Sequence, residues 1–269
     1  MEEIVITHAA SGTRASVVPE RGGMVTGLEV SGRAVLYLDQ GTLRDPSKNV
    51  RGGIPLLFPS PGKLESDAWA HGTLKQHGFA RNLPWTVVKR GADAVTLRLT
   101  SSDATQASYP FRFRFDVTYV VDAGGLRLEA QIANLGDEEM PFGFGTHPYF
   151  AITTPSSFSI ASDATRAFDN VTKREIAFRA SSLSLGSTEI DLHLIDHSSA
   201  SMRFEVDGTP ITIEAPEHRR WVIWSVPGKP FVCVEPWTCP GNALNTGTDL
   251  VRLAAGATCA RTQSFRIGG

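Results

Sequence analysis

Apolar and polar residues alternate with a period of two along most of this chain. The alternating runs cover residues 14–18, 24–30, 85–89, 94–99, 111–117, 126–130 and 202–206. Clusters of glycine, asparagine, aspartate and proline separate these runs. A period of two puts alternate side chains on one face of a strand, and short runs bounded by turn residues are typical of antiparallel sheets. The pattern therefore predicts an all-β protein built from antiparallel strands.

Three phenylalanines at alternate positions, Phe111, Phe113 and Phe115, indicate which face of one strand is buried. Alternate residues share a sheet face, so we expect all three in the core. No segment has the periodicity of a long amphipathic helix, and residues 191–196 have a mixed periodicity that we leave unassigned. Turn signals recur along the whole chain without a linker or a repeat. We therefore predict a single domain, residues 1–269, with the fold of a large β-sandwich.

Charge and length exclude some classes of function. The chain has 269 residues and a net charge of −2, from 26 lysines and arginines against 28 aspartates and glutamates. This balance lacks the basic surface that binds nucleic acid or anionic membranes. The first residues do not resemble a signal peptide, and no apolar run reaches the ~18 residues of a membrane-spanning helix. We expect a soluble, cytoplasmic protein with neither nucleic-acid nor membrane partners.

The three cysteines, Cys233, Cys239 and Cys259, are too few and too scattered for a disulfide framework or a zinc knuckle. An odd number without a signal peptide also argues against disulfides. We expect structural thiols, because buried cysteine packs as a small hydrophobic residue.

Glycine and proline are too frequent between residues 50 and 85 for regular secondary structure. The part from Pro59 to Gln76 is an irregular stretch of the length at which a functional loop is suspected. A solvated surface loop is the alternative interpretation. Next to it, His77 precedes Gly78 and a Phe-Ala-Arg run, and this setting predicts an imidazole fixed by packing.

Two more titratable side chains have aromatic, glycine or proline neighbours. His147 lies between Thr146 and Pro148, where a core histidine is the simpler interpretation. Glu235 follows the apolar residues 231–234. Burying an ionised carboxylate costs several kcal/mol unless it is paired, so Glu235 must reach a cleft or meet a cation. Two imidazoles and a carboxylate are suited to general acid and base catalysis near neutral pH.

Four ordered segments resemble a known family. They are Gly52-Gly53-Ile54-Pro55-Leu56-Leu57-Phe58-Pro59, Gln76-His77-Gly78-Phe79-Ala80-Arg81-Asn82-Leu83-Pro84-Trp85, Thr146-His147-Pro148-Tyr149-Phe150 and Val234-Glu235-Pro236-Trp237-Thr238. In these segments the chain resembles the aldose 1-epimerase superfamily, which includes galactose mutarotase-like enzymes and hexose-6-phosphate mutarotases. The second segment is the most specific of the four.

The resemblance implies a galactose mutarotase-like β-supersandwich with an open sugar-binding cleft and with neither metal nor organic cofactor. The implied activity is that of an isomerase, an aldose 1-epimerase (mutarotase) that opens a hexose ring and closes it to the other anomer. His147 is implied as the general acid on the ring oxygen and Glu235 as the general base on the anomeric hydroxyl. His77 is implied to hold the ring side of the sugar and to help polarise it. We expect the imidazole and the carboxyl group to flank the pyranose from opposite sides.

The chemistry suits these residue types independently of the resemblance. Interconverting two anomers removes one proton and delivers another, at two oxygens of a single carbon. A carboxylate and an imidazole with pKa values shifted towards neutrality can each act in both directions.

The family also uses an aspartate to bind sugar hydroxyls. Asp191 is the best positional match, and Asp169 and Asp196 are the other candidates. A turn residue or a helix cap is the alternative interpretation of Asp191.

Aromatic residues are expected to complete the cleft. Trp237, two residues after Glu235, is the first candidate to approach the sugar, and Trp69 in the irregular stretch is the second. Four other histidines have no motif support and are expected to be structural or on the surface; these are His71, His193, His197 and His218.

The choice of sugar depends on basic residues. Arg51 and Arg81 resemble the arginines that hold phosphate in the hexose-6-phosphate branch, and a guanidinium group suits bidentate phosphate contacts. The segment around Lys63 resembles instead the free-aldose members, in which a basic residue contacts hydroxyls. We favour a free hexose and keep a phosphorylated hexose as the alternative.

Two other classes of function stay open. His77, His147 and Glu235 are also a two-histidine, one-carboxylate set of metal ligands, although they lie far apart along the chain. A carbohydrate-binding module without catalysis is the non-enzymatic alternative, against which the presence of both His147 and Glu235 argues. The expected partner is a small-molecule hexose or hexose phosphate, and the expected assembly is a monomer or a homodimer.

Overall fold

Antiparallel strands account for most of the regular structure in this computed structural model, which describes residues 1–268. The strands in chain order are β1 (Ile4–His8), β2 (Thr13–Val18), β3 (Met24–Val30), β4 (Arg33–Ala34), β5 (Leu56–Leu57), β6 (Ala68–Trp69), β7 (Gly72–Thr73), β8 (Thr86–Arg90), β9 (Ala94–Thr100), β10 (Phe113–Asp122), β11 (Gly125–Asn134), β12 (Met140–Phe142), β13 (Gly145–Thr146), β14 (Tyr149–Ala151), β15 (Ser159–Ala161), β16 (Arg166–Asp169), β17 (Arg174–Ala177), β18 (Ile190–Leu194), β19 (Ser201–Val206), β20 (Thr209–Glu214), β21 (Arg220–Ser225), β22 (Phe231–Trp237), β23 (Val251–Leu253) and β24 (Thr258–Ile267). The short α-helices are α1 (Gln40–Arg44), α2 (Asp103–Gln106) and α3 (Ala243–Thr246). Single 3₁₀ turns cover Pro19–Arg21, Glu65–Asp67, Ala80–Asn82, Pro155–Ser157 and Ala180–Ser182.

Two eight-stranded sheets dominate the fold. The back sheet has the order β15-β19-β20-β24-β11-β10-β9-β8. The cleft sheet has the order β17-β16-β18-β21-β22-β13-β5, and β14 also pairs with β22. One core cluster joins buried side chains of both sheets, among them Phe115 and Leu128 of the back sheet and Trp221 and Val234 of the cleft sheet. The predicted all-β, antiparallel sandwich is confirmed.

The alternating pattern predicted most strand positions. The predicted run at residues 24–30 coincides with β3. The run predicted at 111–117 starts two residues before β10, which begins at Phe113. Phe113 and Phe115 are fully buried and Phe111 is 9% exposed, which confirms that these rings face the core.

The unassigned residues 191–196 contain most of strand β18. Leu192 and Leu194 pack against the core, and Asp191 and His193 alternate with them on the other face. The strand ends at Leu194, so the last two residues of the window lie outside it. This early end explains the mixed periodicity.

The irregular stretch from Pro59 to Gln76 contains only a 3₁₀ turn and the two-residue strands β6 and β7. Leu64 and Leu74 attach it to the protein as buried side chains. Cys233, Cys239 and Cys259 are free thiols. Within residues 1–268, no helix is both long and apolar enough to cross a membrane.

Phe58, which follows strand β5, packs into the core. Its buried ring lies within 6.0 Å of five aromatic rings, those of Phe79, Tyr109, Phe113, Phe115 and Phe142. Phe58→Ala should lower the free energy of unfolding by about 3–5 kcal/mol, because it removes apolar burial and leaves a cavity. Denaturant titration measures this change, and Val88→Ala at an exposed strand position should shift it by less than about 0.5 kcal/mol. A Phe58 variant as stable as the wild type would contradict this packing.

Candidate active site

The cleft sheet has one face in the core and the other in a cleft. On β22, Val234 packs into the core, whereas Glu235 points to the opposite face. Cross-strand pairing aligns Phe168 with His193, His193 with Val222, and Val222 with Glu235. Paired residues in adjacent strands share a face, so this row brings polar groups from β18 and β22 onto one floor.

A cavity of about 1120 Å³ lies over this floor. All eight side chains that the sequence predicted as a site line it: Arg51, Lys63, His77, Arg81, His147, Asp191, Glu235 and Trp237. They come from the glycine- and proline-rich residues 50–85, from the β13–β14 connection, and from strands β18 and β22 of the cleft sheet. Their convergence gives the predicted set a common location.

The weaker candidates lie elsewhere and do not line this cavity. Asp169 accepts a hydrogen bond from the backbone N–H of Val171, as a turn residue does. Asp196 accepts one from the Thr165 hydroxyl. Trp69 donates its indole N–H to the carbonyl of Ser108. Of the three aspartates considered, Asp191 is therefore the one that faces the cleft.

His147 and Glu235 meet at the bottom of the cleft. His147 Nε2 lies 3.4 Å from Glu235 Oε1, and the two residues are only 6% and 1% exposed. The His147 ring stacks on Tyr149 with a centroid distance of 4.6 Å. The expectation that the imidazole and the carboxyl group flank a pyranose from opposite sides is wrong, since 3.4 Å leaves no room for a ring between them. Any ligand that contacts both groups therefore lies over the pair and not between them.

Trp237 fixes the other carboxyl oxygen. Its Nε1–H donates to Glu235 Oε2 at 3.1 Å. Gly145 makes room for the indole, because a β-carbon at that position would lie 2.7 Å from Trp237 Cδ1. The glycine in the Gly-Thr-His run is therefore required by close packing against the tryptophan that orients the carboxyl group.

Burial shifts the pKa values of the two central groups in opposite directions. It raises the pKa of Glu235 well above its usual value, and the negative charge of Asp191 raises it further. It lowers the pKa of His147 well below its usual value, with the positive charge of Arg81 adding to the effect. At pH values between the two pKa values, His147 and Glu235 together hold a single dissociable proton.

His77 enters the cleft through an unusual turn. Its φ of 70° and that of Gly78, 67°, are both left-handed, and a β-carbon on Gly78 would collide with the carbonyl of Phe58. His77 Nδ1 contacts the carbonyl oxygen of Pro61 and therefore carries the proton. Burial lowers the pKa of His77 to about 3, so the ring is neutral at pH 7 and Nε2 is left as an acceptor.

His193 was missed by the sequence analysis. It was expected to be structural or on the surface, but it lines the cleft. Its Nε2 lies 3.0 Å from Asp191 Oδ1, and Asn170 Nδ2 donates to Asp191 Oδ2 at 2.7 Å. The only available signal was its position two residues after Asp191, which puts both on one face of a strand.

The other unassigned histidines agree with the expectation. His71 packs against Trp69. His197 is half-buried, with its Nε2 3.1 Å from the carbonyl oxygen of Arg219, and His218 is buried with its Nε2 2.9 Å from Gln263. All three lie outside the residues that line the cleft.

One group of potential metal ligands was found among the described residues. It consists of His147, Cys233 and Glu235, whose donor atoms lie within 4.8 Å of one another, and it does not include His77. Burial raises the pKa values of both Cys233 and Glu235. Metal ligands must be deprotonated, so a metal ion at this position would have to displace the protons of both groups.

The basic residues differ in their surroundings. Lys63 lies 3.9 Å from Asp67 in an exposed ion pair. Arg81 is largely buried, donates to the carbonyl of Gln76 at 3.1 Å and has no partner for its Nε–H; burial lowers its pKa. Neither Arg51 nor Arg81 forms an ion pair with a carboxylate in the described part of the chain. Both guanidinium groups are thus available to an anionic group in the cleft.

The fold of this chain is similar to the folds of several solved structures. The Slr1438 protein from Synechocystis sp. PCC 6803 is 37% identical, with a TM-score of 0.95 over 99% of this chain and 96% of that one. A galactose mutarotase-like protein from Lactobacillus casei ATCC 334 is 21% identical and has a TM-score of 0.80 over 99% of this chain and 100% of that one. The predicted galactose mutarotase-like fold is confirmed.

Sequence comparisons point to the same family. The plasmid protein LacX from Lactococcus lactis subsp. lactis is 25% identical over 238 residues, 74% of this chain and 78% of that protein. A protein from Cenchrus ciliaris named "Putative glucose-6-phosphate 1-epimerase" is 31% identical over 170 residues, 57% of this chain and 49% of that protein. The family model described as aldose 1-epimerase matches residues 3–266. The chain therefore belongs to the aldose 1-epimerase family.

Proposed function

We propose that this protein is an aldose 1-epimerase (mutarotase) that interconverts the α and β anomers of a hexose. The observation that carries the proposal is the 3.4 Å contact between His147 Nε2 and Glu235 Oε1 at the bottom of an open cleft. The two oxygens that exchange protons in mutarotation are bonded to the same carbon. The acid and the base must therefore lie within a few ångströms of each other, as these two groups do.

The proton balance of the reaction closes within this pair. The reactive tautomer is the one in which the single proton of the pair has moved from Glu235 to His147. From this tautomer Glu235 takes the proton of the anomeric hydroxyl while His147 delivers one to the ring oxygen, and the C1–O5 bond breaks as the aldehyde forms. The pair still holds one proton, now on the carboxyl group. After rotation about C1–C2, the same transfers run backwards and close the ring to either anomer. Each group needs to act in both directions, which suits groups titrating near the working pH.

The surrounding residues have complementary parts in this proposal. The free Nε2 of neutral His77 accepts a hydrogen bond from a sugar hydroxyl, so His77 orients the sugar rather than donating to its ring oxygen. Asp191 accepts hydroxyl hydrogen bonds, and hydrogen bonds from His193 and Asn170 keep its pKa low despite the opposing effect of burial. Trp237 holds the carboxyl group of Glu235.

A phosphorylated hexose is the second candidate substrate. Arg51 and Arg81 line the cleft without carboxylate partners, and the partly buried Arg81 calls for an anion. The name of the Cenchrus ciliaris relative supports the same substrate class. The basic residues contact the phosphate in this case, and the chemistry at C1 is unchanged.

The pH dependence tests the assignment of the two groups. The free-enzyme profile of kcat/KM should be bell-shaped. Its acid limb comes from His147, whose pKa is lowered from the usual 6.5, and its alkaline limb comes from Glu235, whose pKa is raised from the usual 4.5. Trp237→Phe removes a hydrogen bond that favours the ionised carboxylate, so it should move the alkaline limb to higher pH and leave the acid limb in place. Movement of the acid limb instead would reverse the assignment.

Polarimetry on freshly dissolved α-D-glucose, α-D-galactose and glucose 6-phosphate tests the proposal. We expect the approach to anomeric equilibrium to exceed the buffer-catalysed rate for at least one of these sugars, with or without a chelator. Sugar binding without acceleration would support the non-catalytic module, and loss of activity on chelation would support the metal site.

A further inference from the structure

A chain of polar side chains runs from the rim of the cleft to its floor. Lys173 Nζ donates to Asn170 Oδ1 at 2.5 Å, and Asn170 Nδ2 donates to Asp191 Oδ2 at 2.7 Å. His193 Nε2 completes the chain at 3.0 Å from Asp191 Oδ1. Each carboxyl oxygen of Asp191 therefore has one fixed protein donor. An ionised carboxylate has about four acceptor positions, so both oxygens keep capacity for a ligand hydroxyl.

The ring of His193 is held by aromatic contacts. It meets Trp237 edge to face at a centroid distance of 5.1 Å and an interplanar angle of 84°. On the other side it meets Phe168 at 6.2 Å and 80°. An imidazole fixed in this way presents Nε2 to Asp191 without losing rotamer entropy when a ligand arrives. The ring is also only 11% exposed, so water competes poorly for the hydrogen bond.

We propose that His193 is a positioning residue for sugar binding, which acts by fixing the Asp191 carboxylate for contact with sugar hydroxyls. The inference rests on the proposed sugar-binding function and adds a residue to it. An ionised Asp191 only accepts hydrogen bonds, so His193 donates through Nε2. His193 has no direct part in proton transfer to or from the sugar. Its removal should weaken binding while the bound sugar still reacts.

Glutamine and asparagine separate this role from simple packing. The amide nitrogen of glutamine lies close to the position of Nε2, whereas that of asparagine lies close to the position of Nδ1. His193→Gln should therefore keep the hydrogen bond to Asp191, and His193→Asn should lose it. We expect His193→Asn to raise KM and the sugar Kd roughly tenfold, the effect of one hydrogen bond to a charged group, with little change in kcat. His193→Gln should stay close to the wild type.

A double-mutant cycle with Asp191→Ala tests whether His193 acts through Asp191. The Kd for D-glucose, D-galactose and glucose 6-phosphate is measured by NMR titration, which does not depend on catalysis. In the Asp191→Ala background, which lacks the acceptor, His193→Asn should have no further effect. His197→Asn, at a half-buried position outside the cleft, is the control and should bind as the wild type does.

The outcomes are distinguishable. Additive effects of the two substitutions, or equal losses in the glutamine and asparagine variants, would overturn the role of His193 while leaving mutarotation intact. Sugar binding without mutarotation in the wild type would overturn the proposed function, and the binding cycle would still decide the role of His193. A wild-type protein that binds none of the three sugars would overturn both.

Discussion

Glu235→Gln and His147→Asn should each lose about 10²–10⁴-fold of the acceleration of mutarotation, the range expected for a positioned acid or base. Glutamine has nearly the shape of the protonated carboxyl group and can still accept the Trp237 N–H, but it cannot take a proton. Asparagine at position 147 likewise removes the titratable ring. NMR exchange between anomers measures the loss. Rates equal to the wild type in either variant would contradict the assignment.

The two substitutions are also expected to be non-additive. Residues that transfer protons as a unit lose most of their effect when either one is removed, so the double variant should be little slower than each single variant. The stability of Glu235→Gln should stay close to the wild type, because burial favours the uncharged carboxyl group that glutamine imitates. A large loss of stability in this variant would indicate that Glu235 is ionised in the resting protein.

Arg81→Ala should weaken a phosphorylated hexose selectively, if phosphate binds in this part of the cleft. Loss of a hydrogen-bonded pair between charged groups costs about 1.5–3 kcal/mol, which raises KM for glucose 6-phosphate by roughly 10- to 150-fold. Arg51→Ala should act in the same direction and more weakly, because its exposed side chain is better screened by solvent. KM for free glucose should change little in both variants.

Arginine-to-lysine changes refine this test. Lysine keeps the charge but loses the planar fork that contacts phosphate in two places, so Arg81→Lys should recover only part of the affinity. Lys89→Ala, on an exposed strand outside the cleft, is the control and should have wild-type KM for both sugars. Equal effects of Arg81→Ala on free and phosphorylated glucose would discard the phosphate-binding role.

The fold could be predicted largely from the sequence because its strands alternate clearly. Phe113 and Phe115 identify a core face without any tertiary information, since period two is a local property of a strand. Strand β18 was missed because it covers only part of the window considered, and its polar face lines a cleft instead of open solvent. The alternation of apolar and polar residues is the same whether the polar face of a strand lies in a cleft or in open solvent.

The site could be predicted only in part. Glu235 was identifiable because an acid after an apolar run requires a cleft or a partner, and the resemblance located His77 and His147. His193 could not be found, because its meeting with Asp191 and Trp237 depends on the register between β18, β21 and β22. Register is set by pairing between distant segments. For the same reason, the 3.4 Å distance between His147 and Glu235 could not be predicted, and the two groups were expected on opposite sides of a sugar ring.

A crystal structure of the Glu235→Gln variant soaked with the preferred sugar tests the central claim most directly. We expect a pyranose lying over the pair, with the anomeric oxygen at residue 235 and the ring oxygen at His147 Nε2, each within about 2.6–3.2 Å. A sugar bound in the cleft with its anomeric carbon out of reach of both residues would contradict the claim that this pair exchanges the protons of mutarotation.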